Sequence, residues 1–253
     1  MGPGVGRAGA ARRGRVARPV GHPGRTPSVE AMTDDSAPRR RAGSAYVVAP
    51  DAGTGPGVLV LHSWWGLTTF VRQWCDRLAD EGFVALAPDL YAGESADRPD
   101  EAEQLLAQMD VDRAADLVLS SAGALRDLPI TDDGPIGVVG FSMGASWGLW
   151  LAARAPEHVG ASVAYYGTQG IPLDDATSAF LGHFAERDEL VSDDEVVELE
   201  AHLHLVGKAV EFHRYAGTGH WFAEEDRPAA YDPGAAALAW ERTVRFLRHH
   251  LDR

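Results

Sequence analysis

One cysteine, one lysine, and no uninterrupted apolar run of about 18 residues or more mark this chain by what it lacks. A single cysteine, Cys75, excludes an internal disulfide framework and a multi-cysteine metal site. Within Trp74-Cys75-Asp76-Arg77-Leu78, on an expected helix, it reads as a packing residue and not a reactive thiol. Without a long apolar run there is no transmembrane helix to expect, and the N-terminus lacks the continuous apolar core of a secretory signal. The default location is therefore cytoplasmic. Arginine stands where lysine is usual, with Lys208 the sole lysine, a bias that suggests a high-GC genome.

Positive charge is also scarce: 23 basic residues face 37 acidic ones, a net charge of −14. The balance is uneven along the chain. Residues 1–31 hold six arginines against one glutamate, a surplus of five positive charges, so the remainder carries −19. A body that acidic repels nucleic acid and anionic membrane, and neither is expected as a partner. Residues 1–42 are rich in Gly, Pro, Arg and Ala without periodicity and are expected to form a disordered basic N-terminal extension. Met32 opens a more ordinary start, so residues 1–31 read as an extension from an upstream start codon.

From residue 43 to 253 the pattern is that of one α/β domain, with a mostly parallel central sheet and helices on both faces. The continuous apolar run at 58–61 reads as a strand buried on both faces, and the segments at 83–87, 136–140, 161–166, 179–184 and 210–215 read as further strands, preceded by an edge strand near Ala45. Helices are expected over 68–81, where Gly82 serves as the stop, over 101–128 with a break near Asp110, and over 143–154, 193–206 and 235–251. The glycines of Asp51-Ala52-Gly53-Thr54-Gly55-Pro56-Gly57 form a turn and not a phosphate loop, since no Gly-Lys-Ser/Thr follows.

The pentapeptide Gly140-Phe141-Ser142-Met143-Gly144 sits between a strand and a helix. That is the context of a nucleophile elbow, in which a sharp turn holds a serine in a strained conformation and flanking glycines remove Cβ atoms that would clash. The next amide, that of Met143, falls at a helix N-terminus and is placed to hold an oxyanion. In an open α/β sheet functional groups gather at the C-terminal ends of strands. Ser142, Asp188 and His220 each follow a strand, in the order Ser, Asp, His. A serine hydroxyl needs a base to take its proton, and the base needs a carboxylate to fix its tautomer. His220 stands out among ten histidines as the one in a glycine-rich loop after the last strand; His202 and His204 fall on an exposed helix, His213 in a strand, and His249 and His250 at a frayed end. Asp193 and Asp194 read as helix caps. The second oxyanion amide is assigned to Trp64, in the loop after the early strand. His62, Ser63, Trp65, Trp221 and Phe222 are the expected walls of a substrate pocket. His62 has no partner at metal-ligand spacing, and neither metal nor cofactor is expected.

These segments together resemble the dienelactone hydrolase family of α/β-hydrolases. The likeness covers roughly residues 44–252 and rests on His62-Ser63-Trp64-Trp65-Gly66-Leu67, Ala87-Pro88-Asp89-Leu90-Tyr91, the elbow, Gly182-His183-Phe184-Ala185-Glu186-Arg187-Asp188, and Gly219-His220-Trp221-Phe222. It implies the α/β-hydrolase fold and places nucleophile, acid and base on Ser142, Asp188 and His220. It places the oxyanion amides on Trp64 and Met143. The best-known members use a cysteine where this chain has Ser142, and a glutamate where it has Ser63. They bind the substrate carboxylate with two arginines, and the matching loops here read Ala92-Gly93-Glu94 and Ala223-Glu224-Glu225, with Arg98 and Arg227 displaced. Acids at those places are expected to disfavour an anionic dienelactone. The resulting expectation is a carboxylic ester or lactone hydrolase, a monomer or small homo-oligomer. A thioesterase, acyltransferase or peptidase with the same triad, or a non-catalytic binding protein on the same fold, are the alternatives.

Overall fold

The computed structural model describes residues 45–251, so the expected extension over residues 1–42 lies outside the described residues. In chain order the elements are β1 (Ala45–Val48), β2 (Gly57–Leu61), α1 (Thr69–Asp80), β3 (Val84–Pro88), α2 (Pro99–Gln108), α3 (Val111–Arg126), β4 (Ile136–Phe141), α4 (Met143–Arg154), β5 (Val159–Tyr165), β6 (Ala179–Arg187), α5 (Asp193–Leu205), β7 (Val210–Gly219) and α6 (Pro233–Leu251). The strands form one sheet in the order β1-β3-β2-β4-β5-β6-β7. β1 runs antiparallel to β3, and the other neighbours pair in parallel. This is the mostly parallel sheet that the alternating pattern implies, arranged as the α/β-hydrolase resemblance implies.

β2, β3 and β4 are buried on both faces, which is why they read as largely apolar runs, whereas the edge strands β1 and β7 are partly exposed. Alternate side chains serve opposite layers. Val58 and Val60 of β2 join a cluster with Phe70, Trp74 and Leu78 of α1 and Val244 and Leu247 of α6. Leu59 and Leu61 join a second cluster with Val118 and Leu125 of α3, Leu149 of α4 and Leu199 of α5. Cys75 belongs to the first cluster; burial pushes its thiol up to about 12, leaving it an inert packing group.

The helical stretch over 101–128 breaks near Asp110, as expected: Asp110 accepts the Arg113 amide and starts α3 afresh. Two other details differ from the sequence expectation, each for a local reason. Ser192, not Asp193 or Asp194, caps α5; its hydroxyl accepts the Glu195 amide and the Glu195 carboxylate returns to the Ser192 amide. His249 and His250 are not frayed, because α6 continues to Leu251 with His250 against the Phe246 ring. No helix among the described residues is long and apolar enough to cross a membrane.

The topology itself creates a crevice. The chain passes from β2 to β3 on one side, then returns to place β4 on the other side of β2. Segments leaving β2 and β4 therefore diverge, and the gap between them is where ligands bind in such sheets. Leu61 pairs with Gly140 at that edge, so His62-Ser63-Trp64 and Ser142-Met143 leave the sheet side by side.

Candidate active site

Ser142 ends β4 with φ 51° and ψ −115°, a backbone that non-glycine residues rarely adopt. The strain holds because the turn has no alternative room. A Cβ on Gly140 would lie 2.1 Å from the Gly144 carbonyl oxygen. Ser142 occupies the N-cap position of α4, yet its hydroxyl caps nothing. It meets His220 instead, with Oγ 2.7 Å from Nε2. Across the ring, Nδ1 lies 2.7 and 2.8 Å from the two oxygens of Asp188. Asp188 follows β6 and His220 follows β7, and the loop amides of Leu190 and Val191 also donate to Asp188 Oδ1. Burial works to raise the Asp188 carboxyl, but the bond from His220 and the two amides outweigh it and hold it below its ordinary range. An ionised carboxylate only accepts, so Nδ1–H donates to Asp188 and Nε2 is left to accept the Ser142 hydroxyl.

Met143 directly follows Ser142, and Trp64 lies in the segment that leaves the neighbouring strand β2. α4 starts at Met143, and the first amides of a helix have no intrahelical acceptor. Trp64 follows β2 in a turn closed by the Gly66 amide donating to the Ser63 carbonyl. Trp64 and Trp221 remain partly exposed, stacked with centroids 5.5 Å apart.

Four residues expected in the pocket wall lie behind it. His62 is 0% exposed; Nδ1–H donates to the Ser63 carbonyl and Nε2 accepts the Leu90 amide, which fastens the loop after β2 to the loop after β3. Burial holds its ring below the ordinary range, and it stays neutral. Phe222, also 0% exposed, packs against Tyr166 and Tyr215 in the core. Trp65 is covered by the Arg227 guanidinium, 4.0 Å above its ring. Ser63 is buried and its hydroxyl is hydrogen-bonded to Glu224.

Sequence reasoning missed Glu224 and Tyr166. Tyr166 follows β5 with φ 39°, sets its ring 4.9 Å from that of His220, and has its hydroxyl hydrogen-bonded to Glu224 Oε1 at 3.1 Å. Ser63 Oγ is hydrogen-bonded to Glu224 Oε2 at 3.0 Å. Burial, aided by Asp226, pushes the Glu224 carboxyl up to about 8. Glu224 is thus neutral near pH 7, with one of its oxygens donating, as O–H, to the hydroxyl beside it while the other accepts, and it is not the anion-repelling acid expected from the loop composition. Nothing in Ala223-Glu224-Glu225 distinguishes it from Glu225, which is exposed. The two displaced arginines are occupied: Arg98 pairs with Asp100 and Glu101 on the surface, and Arg227 donates to the carbonyls of Ala96 and Asp97.

The family model for the dienelactone hydrolase family matches residues 44–251. Among curated proteins, protein usf of Aquifex pyrophilus is 37% identical over 215 residues, covering 81% of this chain and 93% of that protein. Carboxymethylenebutenolidase 1 of Cupriavidus pinatubonensis is 29% identical, covering 80% and 90%. Among solved structures, a dienelactone hydrolase-like promiscuous phosphotriesterase from metagenomic libraries superposes with a TM-score of 0.70 at 21% identity, covering 83% of this chain and 99% of that one. The chain belongs to the dienelactone hydrolase family, as a hydrolase of the ester and lactone class on the α/β-hydrolase fold.

Proposed function

We propose that this protein cleaves a carboxylic ester or lactone through a Ser142–His220–Asp188 triad and an acyl-enzyme. The carrying observation is the continuous hydrogen-bonded chain from Ser142 Oγ through the His220 ring to Asp188. Ser142 Oγ attacks the acyl carbonyl while its proton passes to His220 Nε2. The imidazolium that forms is stabilised by Asp188, which stays ionised. The carbonyl oxygen becomes an oxyanion held by the amides of Trp64 and Met143, where the α4 dipole adds to the N–H groups. Collapse of the tetrahedral intermediate breaks the acyl–oxygen bond, and the departing alkoxide takes the proton from Nε2. With a lactone that oxygen stays tethered to the acyl chain. A water then gives a proton to His220 and attacks the acyl-serine. The second collapse returns the proton to Ser142 Oγ and releases the acid. Every step uses a side chain, an amide or water, so the chemistry calls for no cofactor.

The partly exposed Trp221 meets the His220 ring and stacks on Trp64, which gives apolar surface beside the base and suits a small neutral ester. The test is hydrolysis of short-chain p-nitrophenyl esters by the protein and by Ser142→Ala. Turnover by the parent and its loss by about 10³-fold or more in the variant is expected. Turnover that survives the substitution removes Ser142 from the mechanism.

A further inference from the structure

The proposed mechanism leaves one buried acid unused. Glu224 is 1% exposed and, among the described residues, its carboxyl is hydrogen-bonded to the hydroxyls of Ser63 and Tyr166. Those partners belong to two segments that both bear on the serine. Ser63 precedes Trp64 in the loop after β2. Tyr166 closes β5, packs its ring on His220, and is followed by Gly167, where a Cβ would lie 2.4 Å from the Ser142 carbonyl oxygen. Glu224 itself sits four residues after His220, so its carboxyl joins three strand ends at one point.

We propose that Glu224 is a positioning residue for the hydrolysis, whose side chain ties the Trp64 loop to Tyr166 and holds the oxyanion amide in register with Ser142 and His220. The inference rests on the reading of Ser142 as nucleophile. The groups facing Glu224 are Ser63 from the loop after β2, Tyr166 from the end of β5, and Asp226 and Arg227 from its own loop. The Arg227 guanidinium is directed to Trp65, Asp226 and the carbonyls of Ala96 and Asp97. Tyr166 stays protonated, since burial and the neighbouring Glu224 raise it well above its ordinary value. Ionisation of Glu224 therefore sets a negative charge beneath the loop that must receive another. That opposes the oxyanion and weakens the transition state more than the bound ester.

The experiment is a pH profile of p-nitrophenyl acetate hydrolysis by the full chain, beside Glu224→Gln and Glu224→Ala. In the parent, kcat is expected to fall as pH rises through about 8, with KM little changed. Glu224→Ala should lower kcat by about 10- to 100-fold throughout. Glu224→Gln, which keeps the shape and cannot ionise, should rescue most of that loss and show no decline on the alkaline side. Infrared titration of the parent provides a reading independent of turnover and of variant folding: a protonated buried carboxyl band should be present near pH 7 and lost above about 8. A Glu224→Gln profile that superimposes on a declining parent, or an alanine variant with undiminished kcat, overturns the inference and leaves the hydrolase reading intact. Absence of the carboxyl band near pH 7 also overturns it. A parent that turns over no ester at any pH overturns the hydrolase reading on which it rests.

Discussion

Gly144 approaches Leu61 so closely that a Cβ on the glycine would stand 2.2 Å from the Leu61 carbonyl oxygen. This contact locks the elbow onto the end of β2 and thereby fixes the Met143 amide relative to the Trp64 loop. Backbone cannot yield as a side chain can. Gly144→Ala is expected to cost about 3 kcal/mol of stability and to lower esterase turnover in the fraction that stays folded. Urea unfolding together with active-site titration checks both.

Asp188 holds the tautomer of His220, and its loss should be expensive even with the shape kept. Asp188→Asn presents an amide that can donate to Nδ1, which turns the donor side of the imidazole toward Ser142. Turnover is expected to drop by about 10⁴-fold with KM changed far less. Steady-state kinetics decide it; a drop of less than tenfold would argue that Asp188 is not the partner of His220 in the reaction.

His183 predicts acid sensitivity. Its ring is fully buried in β6, bonded to the Tyr215 hydroxyl at 2.8 Å and to Thr243 Oγ1 at 2.9 Å. Burial first, then His213 and Arg242, hold its pKa well below the ordinary 6.5. The unfolded chain therefore takes up a proton near 6.5 that the folded chain refuses. Stability conferred by this neutral ring is present above 6.5 and lost as pH falls below it, by about 1.4 kcal/mol per pH unit. His62, also buried and lowered, acts in the same direction. Glu224, raised to about 8, acts in the opposite direction over this range, so the test is the difference: between about pH 7 and about pH 5 the urea midpoint of the parent should fall relative to that of His183→Gln.

Arg227 lies flat on Trp65 while its guanidinium donates to two carbonyls of the segment before α2. A lysine keeps the charge but has neither the planar face nor the fork. Arg227→Lys is expected to destabilise the protein by about 1–2 kcal/mol, seen as a lower thermal midpoint, and to loosen the Trp64–Trp65 turn.

Much of the fold was legible because its signals are local. The strands buried on both faces are largely apolar runs, and the elbow carries its own explanation in Gly140 and Gly144. The cap that was misplaced was decided by a single hydrogen bond, at Ser192, where Asp193 and Asp194 stand close enough in sequence to compete for it.

The amino-acid order by itself determined the parallel sheet, the sharp turn at Ser142, and the candidate trio Ser142, Asp188 and His220, because strand ends, glycines and residue chemistry are properties of short segments. Only the tertiary structure decided which side chains face the crevice and which support it from behind. His62, Ser63, Trp65 and Phe222 are hydrophobic or polar neighbours of Trp64 and Trp221 in sequence, yet they are buried. Glu224 is the clearest case. Its burial depends on Ser63 and Tyr166, 161 and 58 residues away, and no local pattern encodes a protonation state that arises when three strand ends converge on one carboxyl.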